Sequence, residues 1–126
     1  YMYNQLGHVY EKINEDSSYY YYNKSIEFTE KQSDAYLKKW ACVNHRDLAL
    51  LYLKNKNYQK ALYHGQIYYE TSKKYRFNYD IKQALRMLIE LHEIKKDYFK
   101  AIYYYKQESY INDSLYNELR YLTGLN

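Results

Sequence analysis

The residues of this chain that could do chemistry are four histidines, one cysteine and several carboxylates. The run His45-Arg46-Asp47-Leu48 has the order of a protein-kinase catalytic loop, in which the aspartate accepts the proton of the substrate hydroxyl. The metal-binding asparagine expected five residues after that aspartate is Tyr52, and no Asp-Phe-Gly run accompanies it. The run also lies inside a long predicted helix. It therefore cannot form the kinase loop.

The sequence also lacks the patterns of a metal site and of an activated nucleophile. No two histidines lie four residues apart, and no second histidine follows His92-Glu93 at metalloprotease spacing. Cys42 stands beside Trp40 and Val43 in an apolar setting, which raises a thiol pKa instead of activating the sulfur. The pair Glu15-Asp16 is placed at a turn, where carboxylates cap helices. We therefore expect no enzyme, no metal and no cofactor.

Composition indicates the class of protein that must position these residues. The chain has 126 residues, enough for one domain, and 22 of them are tyrosine. A buried tyrosine needs its hydroxyl near water or an acceptor, which suits a thin, two-layer array of helices. The net charge of +4 comes from lysines interspersed with glutamates, as on a solvated helix surface. No apolar run approaches the length of about 18 residues that spans a membrane, so we expect no membrane contact by this segment itself.

Single-stranded nucleic acid is a remote alternative partner. The tyrosine runs 19–22 and 103–105 stand near lysines, and aromatic platforms of this kind can stack bases. Four consecutive residues on a helix nevertheless point in four directions, so they cannot form one platform. Nucleic acid is therefore not the partner that the sequence favours.

The chain has no proline and only three glycines, which indicates helix throughout. Apolar spacing and capping residues predict seven helices. The first ends near Ile13, and the second begins after an Asp16 cap. The later starts are at Ser33 or Asp34, Asn57, Asn78, Asp97 and Asn112-Asp113-Ser114, with the fourth helix ending near Tyr75. The seventh helix carries Leu115, Leu119 and Leu122, whose spacing of four and three fits a heptad seam.

A short phrase recurs along the chain: a polar turn, then a small residue opening the next helix. The small residues are Ser18, Ala61 and Ala101, which are 43 and 40 residues apart. Recurrence at this period indicates stacked helix pairs, and such arrays usually bind other chains.

These pairs resemble tetratricopeptide repeats, which carry Leu-Gly and an aromatic residue on the first helix and small and aromatic residues on the second. The matching residues are Leu6-Gly7, Tyr10, Ser18, Tyr22 and Ser25 in the first pair, Leu48-Ala49, Tyr52, Tyr58 and Ala61 in the second, and Leu88, Tyr98, Ala101 and Tyr105 in the third. The departures are Gly65, Tyr68, Ile89, His92 and Glu108, the missing proline and a period longer than the usual 34.

The resemblance implies an all-α fold, a right-handed superhelix of three helix pairs plus a C-terminal helix. It implies a single domain over 1–126, with repeats at about 1–31, 34–75 and 78–111 and a capping or linker helix at 113–125. The run Asn112 to Glu118 is similar to the end of the sensor region in Bacteroidetes-type hybrid kinases and regulators, which favours a periplasmic sensing or scaffolding module in a larger signalling protein. The alternatives are a domain like the intracellular peptide-pheromone receptors and a free-standing adaptor. The C-terminal helix is also a candidate for pairing with a second copy.

The resemblance also implies where a ligand binds. In this fold the first helix of each pair lines a concave groove that holds a protein or peptide segment. The groove positions are Asn4, His8, Glu11, Val43, Arg46, Leu50, Lys54, Gln83, Arg86, Glu90 and Glu93. Arg46 and Arg86 are expected to face across the groove, where paired N–H donors could hold a carboxylate or backbone carbonyls. The Lys and Asn pattern of the carboxylate-clamp repeats is absent, which disfavours recognition of a chaperone C-terminus.

Overall fold

The computed structural model describes residues 2–124, apart from the side chains at positions 35, 115, 116 and 119. This part of the chain contains six helices and no strand, which confirms the all-α class. The helices are α1 (Met2–Tyr10), α2 (Glu15–Glu30), α3 (Ala35–Lys54), α4 (Tyr58–Lys74), α5 (Asn78–Ile94) and α6 (Tyr98–Thr123). None of the helices described is long and apolar enough to cross a membrane.

Three of the predicted helix starts are confirmed by their caps. Asp34 accepts a hydrogen bond from the backbone N–H of Tyr36 at 2.7 Å, and Asn57 and Asp97 cap α4 and α6 in the same way. The prediction for α2 was wrong, because its cap is Asn14 and Asp16 lies in the first turn. An acidic residue is favourable there as well, since it faces the positive end of the helix dipole.

The predicted seventh helix is not a separate element. α6 runs without a break from Tyr98 to Thr123 and passes through the expected start at Asn112. Capping residues begin a helix only where the preceding backbone leaves the helical conformation, and no glycine or proline interrupts the run before Asn112. Leu122 is exposed, and Leu115 and Leu119 of the expected seam lie outside the described side chains. The first helix also ends earlier than predicted, at Tyr10.

The chain divides into two compact units, one through Ala84 and the other from Leu85, so that α5 belongs to both. In the first unit α1 packs on α2, α2 on α3 and α3 on α4. One apolar cluster of this unit consists of the buried residues Tyr22, Ile26, Leu48 and Leu51, with Tyr19 and Tyr52 packed against them. In the second unit His92 of α5 stacks on Tyr104 of α6, with ring centroids 5.6 Å apart.

Three helix connections share one backbone conformation. Lys56, Arg76 and Lys96 adopt positive φ angles of 61°, 57° and 60°. Each is followed by an N–H that bonds back to the carbonyl five residues earlier, as from Asn57 to Tyr52 at 2.9 Å. This pattern is the Schellman motif that ends a helix with one left-handed residue. Successive residues of this set are 20 positions apart, which is half of the 40-residue spacing between Ala61 and Ala101.

Gly7 lets α1 approach α2 closely. A Cβ atom at this position would lie 2.5 Å from Cε1 and 2.6 Å from Cδ1 of the Tyr22 ring, which is fully buried. The Gly7 carbonyl also accepts a 2.7 Å hydrogen bond from the Ser18 hydroxyl. The glycine of the Leu-Gly motif is therefore a contact site for the aromatic residue of the second helix.

We expect the Lys56→Gly variant to be more stable than the wild type by about 0.5–1 kcal/mol, because glycine adopts a positive φ without the Cβ clash. The matched control is Lys24→Gly, a partly exposed position inside α2, which should cost about 1 kcal/mol. Urea unfolding of both variants measures the difference. A loss of stability on Lys56→Gly would contradict the turn assignment.

We expect Gly7→Ala to destabilise the protein by about 1–3 kcal/mol, since the added methyl group displaces the Tyr22 ring. In a Tyr22→Leu background the same change should cost much less, because the ring that it meets has been removed. Thermal unfolding of the two single variants and the double variant completes this cycle. Additive losses would show that the two residues are not in contact.

Candidate functional site

A cleft in the first unit brings together four of the residues expected in the groove. Its volume is about 280 Å³, and its lining consists of His8, Glu11, Asp47, Leu50, Leu51 and Lys54. Asp47 and Leu51 were not among the expected groove residues. Their buried positions explain why a pattern of groove-facing residues omitted them.

Asp47 fixes the buried wall of this cleft. Its side chain is only 4% exposed. Oδ1 accepts hydrogen bonds from Nε and Nη2 of Arg46, both at 3.1 Å, and Oδ2 accepts one from Nδ2 of Asn4 at 2.9 Å. Nε2 of His8 lies 3.1 Å from the same Oδ2. A buried carboxylate is stable only when donors satisfy it in this way, so its position is tightly determined.

Asn4 extends the network below the surface. The sequence pattern placed it in the groove, but the structure buries it, with an exposure of 4%. Its Nδ2 also donates to Oδ1 of Asn44 at 2.8 Å, and Nδ2 of Asn44 donates to Oγ of Ser25 at 2.6 Å. Side chains of α1, α3 and α2 are thus joined in one chain of hydrogen bonds.

His8 stands between the wall and the mouth of the cleft. Its Nδ1 lies 2.9 Å from the Tyr22 hydroxyl and 3.6 Å from Glu11. Burial, and then the nearby charge of Asp47, raises the pKa of Tyr22 far above its ordinary value, so this phenol keeps its proton. Nε2 of His8 donates to Asp47, because a carboxylate oxygen can only accept. The imidazole is oriented at both nitrogens.

The open side of the cleft combines an aliphatic surface with two charges. Leu50 is 47% exposed, and Lys54 lies one turn further along α3. Glu11 is 31% exposed and faces the cleft beside His8. It also lines a second cavity of about 370 Å³ at the α1–α2 turn, which extends to Asp16. The cleft can therefore hold an apolar side chain flanked by one anionic and one cationic group.

The other expected groove residues lie outside this lining. Val43 is half-buried on α3, and Arg46 is held by Asp47. On α5, Nη1 of Arg86 donates to both carboxylate oxygens of Glu108, at 3.1 and 3.2 Å. Glu93 accepts a 2.9 Å hydrogen bond from the Tyr105 hydroxyl. Both arginines thus already hold a carboxylate of their own unit, and Gln83 and Glu90 are exposed on α5.

A histidine pair that the sequence did not reveal lies between α3 and α4. Nδ1 of His45 and Nδ1 of His64 are 2.9 Å apart, so one nitrogen donates and the other accepts. Nε2 of His45 lies 3.8 Å from Glu30, and the His64 ring stacks on Tyr52. Burial lowers the pKa of both residues to about 4. The nearby His64 also lowers the pKa of His45, and the charge of Lys60 also lowers the pKa of His64. The pair is therefore uncharged at neutral pH.

Sequence reasoning missed this pair because its members are 19 residues apart on different helices. No motif spacing encodes such a distance. In the part of the chain that the structure describes, no group of three or more His, Cys, Asp or Glu side chains is placed to hold a metal ion.

A second buried carboxylate lies near Cys42. Asp80 is 1% exposed, accepts a 2.7 Å hydrogen bond from the Tyr68 hydroxyl and is paired with the Lys39 ammonium. Cys42 is fully buried, with Sγ 3.3 Å from Oγ of Ser72. Burial raises the pKa of the Cys42 thiol to about 11, as the sequence predicted, so the thiol stays protonated.

Comparison of the chain with models of protein families, with curated proteins and with solved structures gave no significant match. The resemblance to tetratricopeptide repeats accordingly rests on the residues that carry it. It stays a prediction.

We expect the protein to lose stability as the pH falls from about 6.5 towards 4. The folded pKa values of His45 and His64 lie below the ordinary 6.5, so in this window the unfolded chain binds more protons than the folded protein. Between pH 7 and 5 the wild type should lose about 1–2 kcal/mol more than His64→Gln, which has one such group fewer. Urea unfolding at several pH values gives both slopes. Parallel pH profiles would show that the buried pair does not exist.

Proposed function

We propose that this chain is a non-enzymatic interaction module that binds a peptide segment in the cleft between α1 and α3. The observation that carries the proposal is the convergence of His8, Glu11, Leu50 and Lys54, all expected groove residues, on a single cleft. Stacked helix pairs commonly present such surfaces to other chains.

The chemistry of the cleft supports a peptide ligand. An extended segment offers apolar side chains at alternate positions, together with backbone dipoles and charged side chains. Leu50 and Leu51 provide an aliphatic contact for one such side chain, and Glu11 and Lys54 provide charges of opposite sign beside it. A volume of about 280 Å³ is at the lower limit for a small-molecule pocket, which favours one anchored residue of a longer segment.

The architecture that we propose around this cleft is a right-handed, tetratricopeptide-like superhelix. Support comes from the consecutive packing of α1 to α4 and from the three left-handed turns 20 residues apart. A role as the sensing part of a larger signalling protein rests on the Asn112 to Glu118 run alone. The free-standing adaptor stays the alternative.

The test is selection of binders from a random peptide library on the wild-type protein, followed by affinity measurement on variants. Leu50→Ser and Lys54→Glu change exposed cleft residues and should each weaken the selected peptides about tenfold or more. The matched control, Lys31→Glu, lies at the exposed end of α2 outside the cleft and should bind normally. A failure to select peptides, or binding insensitive to both cleft variants, would refute the proposed function.

A further inference from the structure

The groups that line the cleft follow a fixed order along α1 and α3. Asn4 donates to Asn44 and Asp47, and His8, one turn further along α1, contacts Asp47. Glu11, three residues after His8, lines the same cleft as the later turns of α3. The contacts therefore advance in the same direction along both helices.

α3 presents three kinds of group to the cleft at successive turns. Asp47 comes first, Leu50 and Leu51 follow one turn later, and Lys54 comes one turn after the leucines. Asp47 and Lys54 are seven residues apart, which is about 10 Å along the helix axis. An apolar ligand side chain that packs on the exposed Leu50 therefore has the Lys54 ammonium one turn away on the same helix.

Two of the three charged residues in the cleft lining are available to a ligand. Asp47 is not, because it is buried and its oxygens already accept hydrogen bonds from Arg46 and Asn4. In the part of the chain that the structure describes, the Lys54 ammonium has no ion pair or hydrogen bond, and no lysine or arginine pairs with Glu11. A ligand therefore meets one free negative charge and one free positive charge.

The opposite signs of Glu11 and Lys54 determine which peptide fits. A purely acidic segment is attracted by Lys54 but repelled by Glu11, and a purely basic segment meets the reverse. A segment that carries one charge of each sign is attracted by both residues. An extended chain advances about 3.3 Å per residue, so the cleft length of about 10 Å corresponds to about three residues.

We propose that the ligand is an extended peptide segment with an aliphatic residue that has one basic and one acidic residue within three positions of it. The aliphatic side chain packs on Leu50 and Leu51, the basic residue pairs with Glu11, and the acidic residue pairs with Lys54. This inference rests on the function proposed above and adds the chemistry of the ligand to it. Glu11 and Lys54 are then the residues that determine specificity.

Selection from one random peptide library on four proteins tests the inference. The proteins are the wild type, Lys54→Glu, Glu11→Lys and the double variant with both changes. Binders of the wild type should carry one basic and one acidic residue near an aliphatic one. Binders of Lys54→Glu should have a basic residue in place of the acidic one, and binders of the double variant should have the two charges exchanged. The matched control, Lys31→Glu, lies outside the cleft and should select the wild-type pattern.

Affinity measurements on one selected peptide locate the contact with Lys54. Replacing the acidic residue of this peptide by lysine should weaken its binding to the wild type about tenfold, because an attraction becomes a repulsion. The same replacement should strengthen its binding to Lys54→Glu. The double-mutant cycle of these four affinities isolates the charge contact, and its interaction energy should decrease at about 0.5 M salt.

The outcomes separate this inference from the proposed function. Circular dichroism of each variant first shows that the helices are intact. Binders that share an aliphatic residue but no charge pattern would overturn the inference, as would a pattern that is the same for all four proteins. The proposed function would then still stand if Leu50→Ser weakens those binders. A library that yields no binder of the wild type would refute both.

Discussion

The first unit and its cleft depend on the hydrogen bonds that hold the buried carboxylate of Asp47. Transferring a charged group from water costs several kcal/mol unless donors replace the water at its oxygens. Here the donors come from Arg46, Asn4 and His8, and Asn4 passes the connection on to Asn44. The bonds that Asn4 and His8 of α1 make with Asp47 and Asn44 require α1 and α3 to lie at one separation and one rotation. Apolar contacts alone would tolerate small slips of the helices, but this network does not.

The same network shapes the surface that we propose as a binding site. His8 is held at the mouth of the cleft by contacts at both ring nitrogens, one with Asp47 and one with Tyr22. Tyr22 provides the second of these contacts while its ring fills the space that Gly7 leaves open. Core packing and site geometry are therefore consequences of one set of residues. A polar network of this kind specifies a unique arrangement when every member is satisfied.

Much of the local structure could be predicted from the sequence. The caps at Asp34, Asn57 and Asp97 were predicted correctly because capping acts within three residues. The predicted helix start at Asn112 was wrong. Residues 112–114 are of types that cap helices, but the preceding helix does not end there. The left-handed residues Lys56 and Lys96 gave no signal, since glycine is the residue usually expected at such turns.

The candidate site divides in the same way. The sequence by itself determined the all-α class and the number of helices up to α6, because apolar periodicity and caps are encoded over a few residues. The choice of Leu50 and Lys54 came from the resemblance to tetratricopeptide repeats. Only the tertiary structure decided that Asn4 is buried against Asn44 and Asp47, 40 and 43 residues away, and that His45 meets His64. Such contacts depend on how far and at what rotation the helices approach one another. The packing of whole side chains sets those quantities, and no local pattern records them.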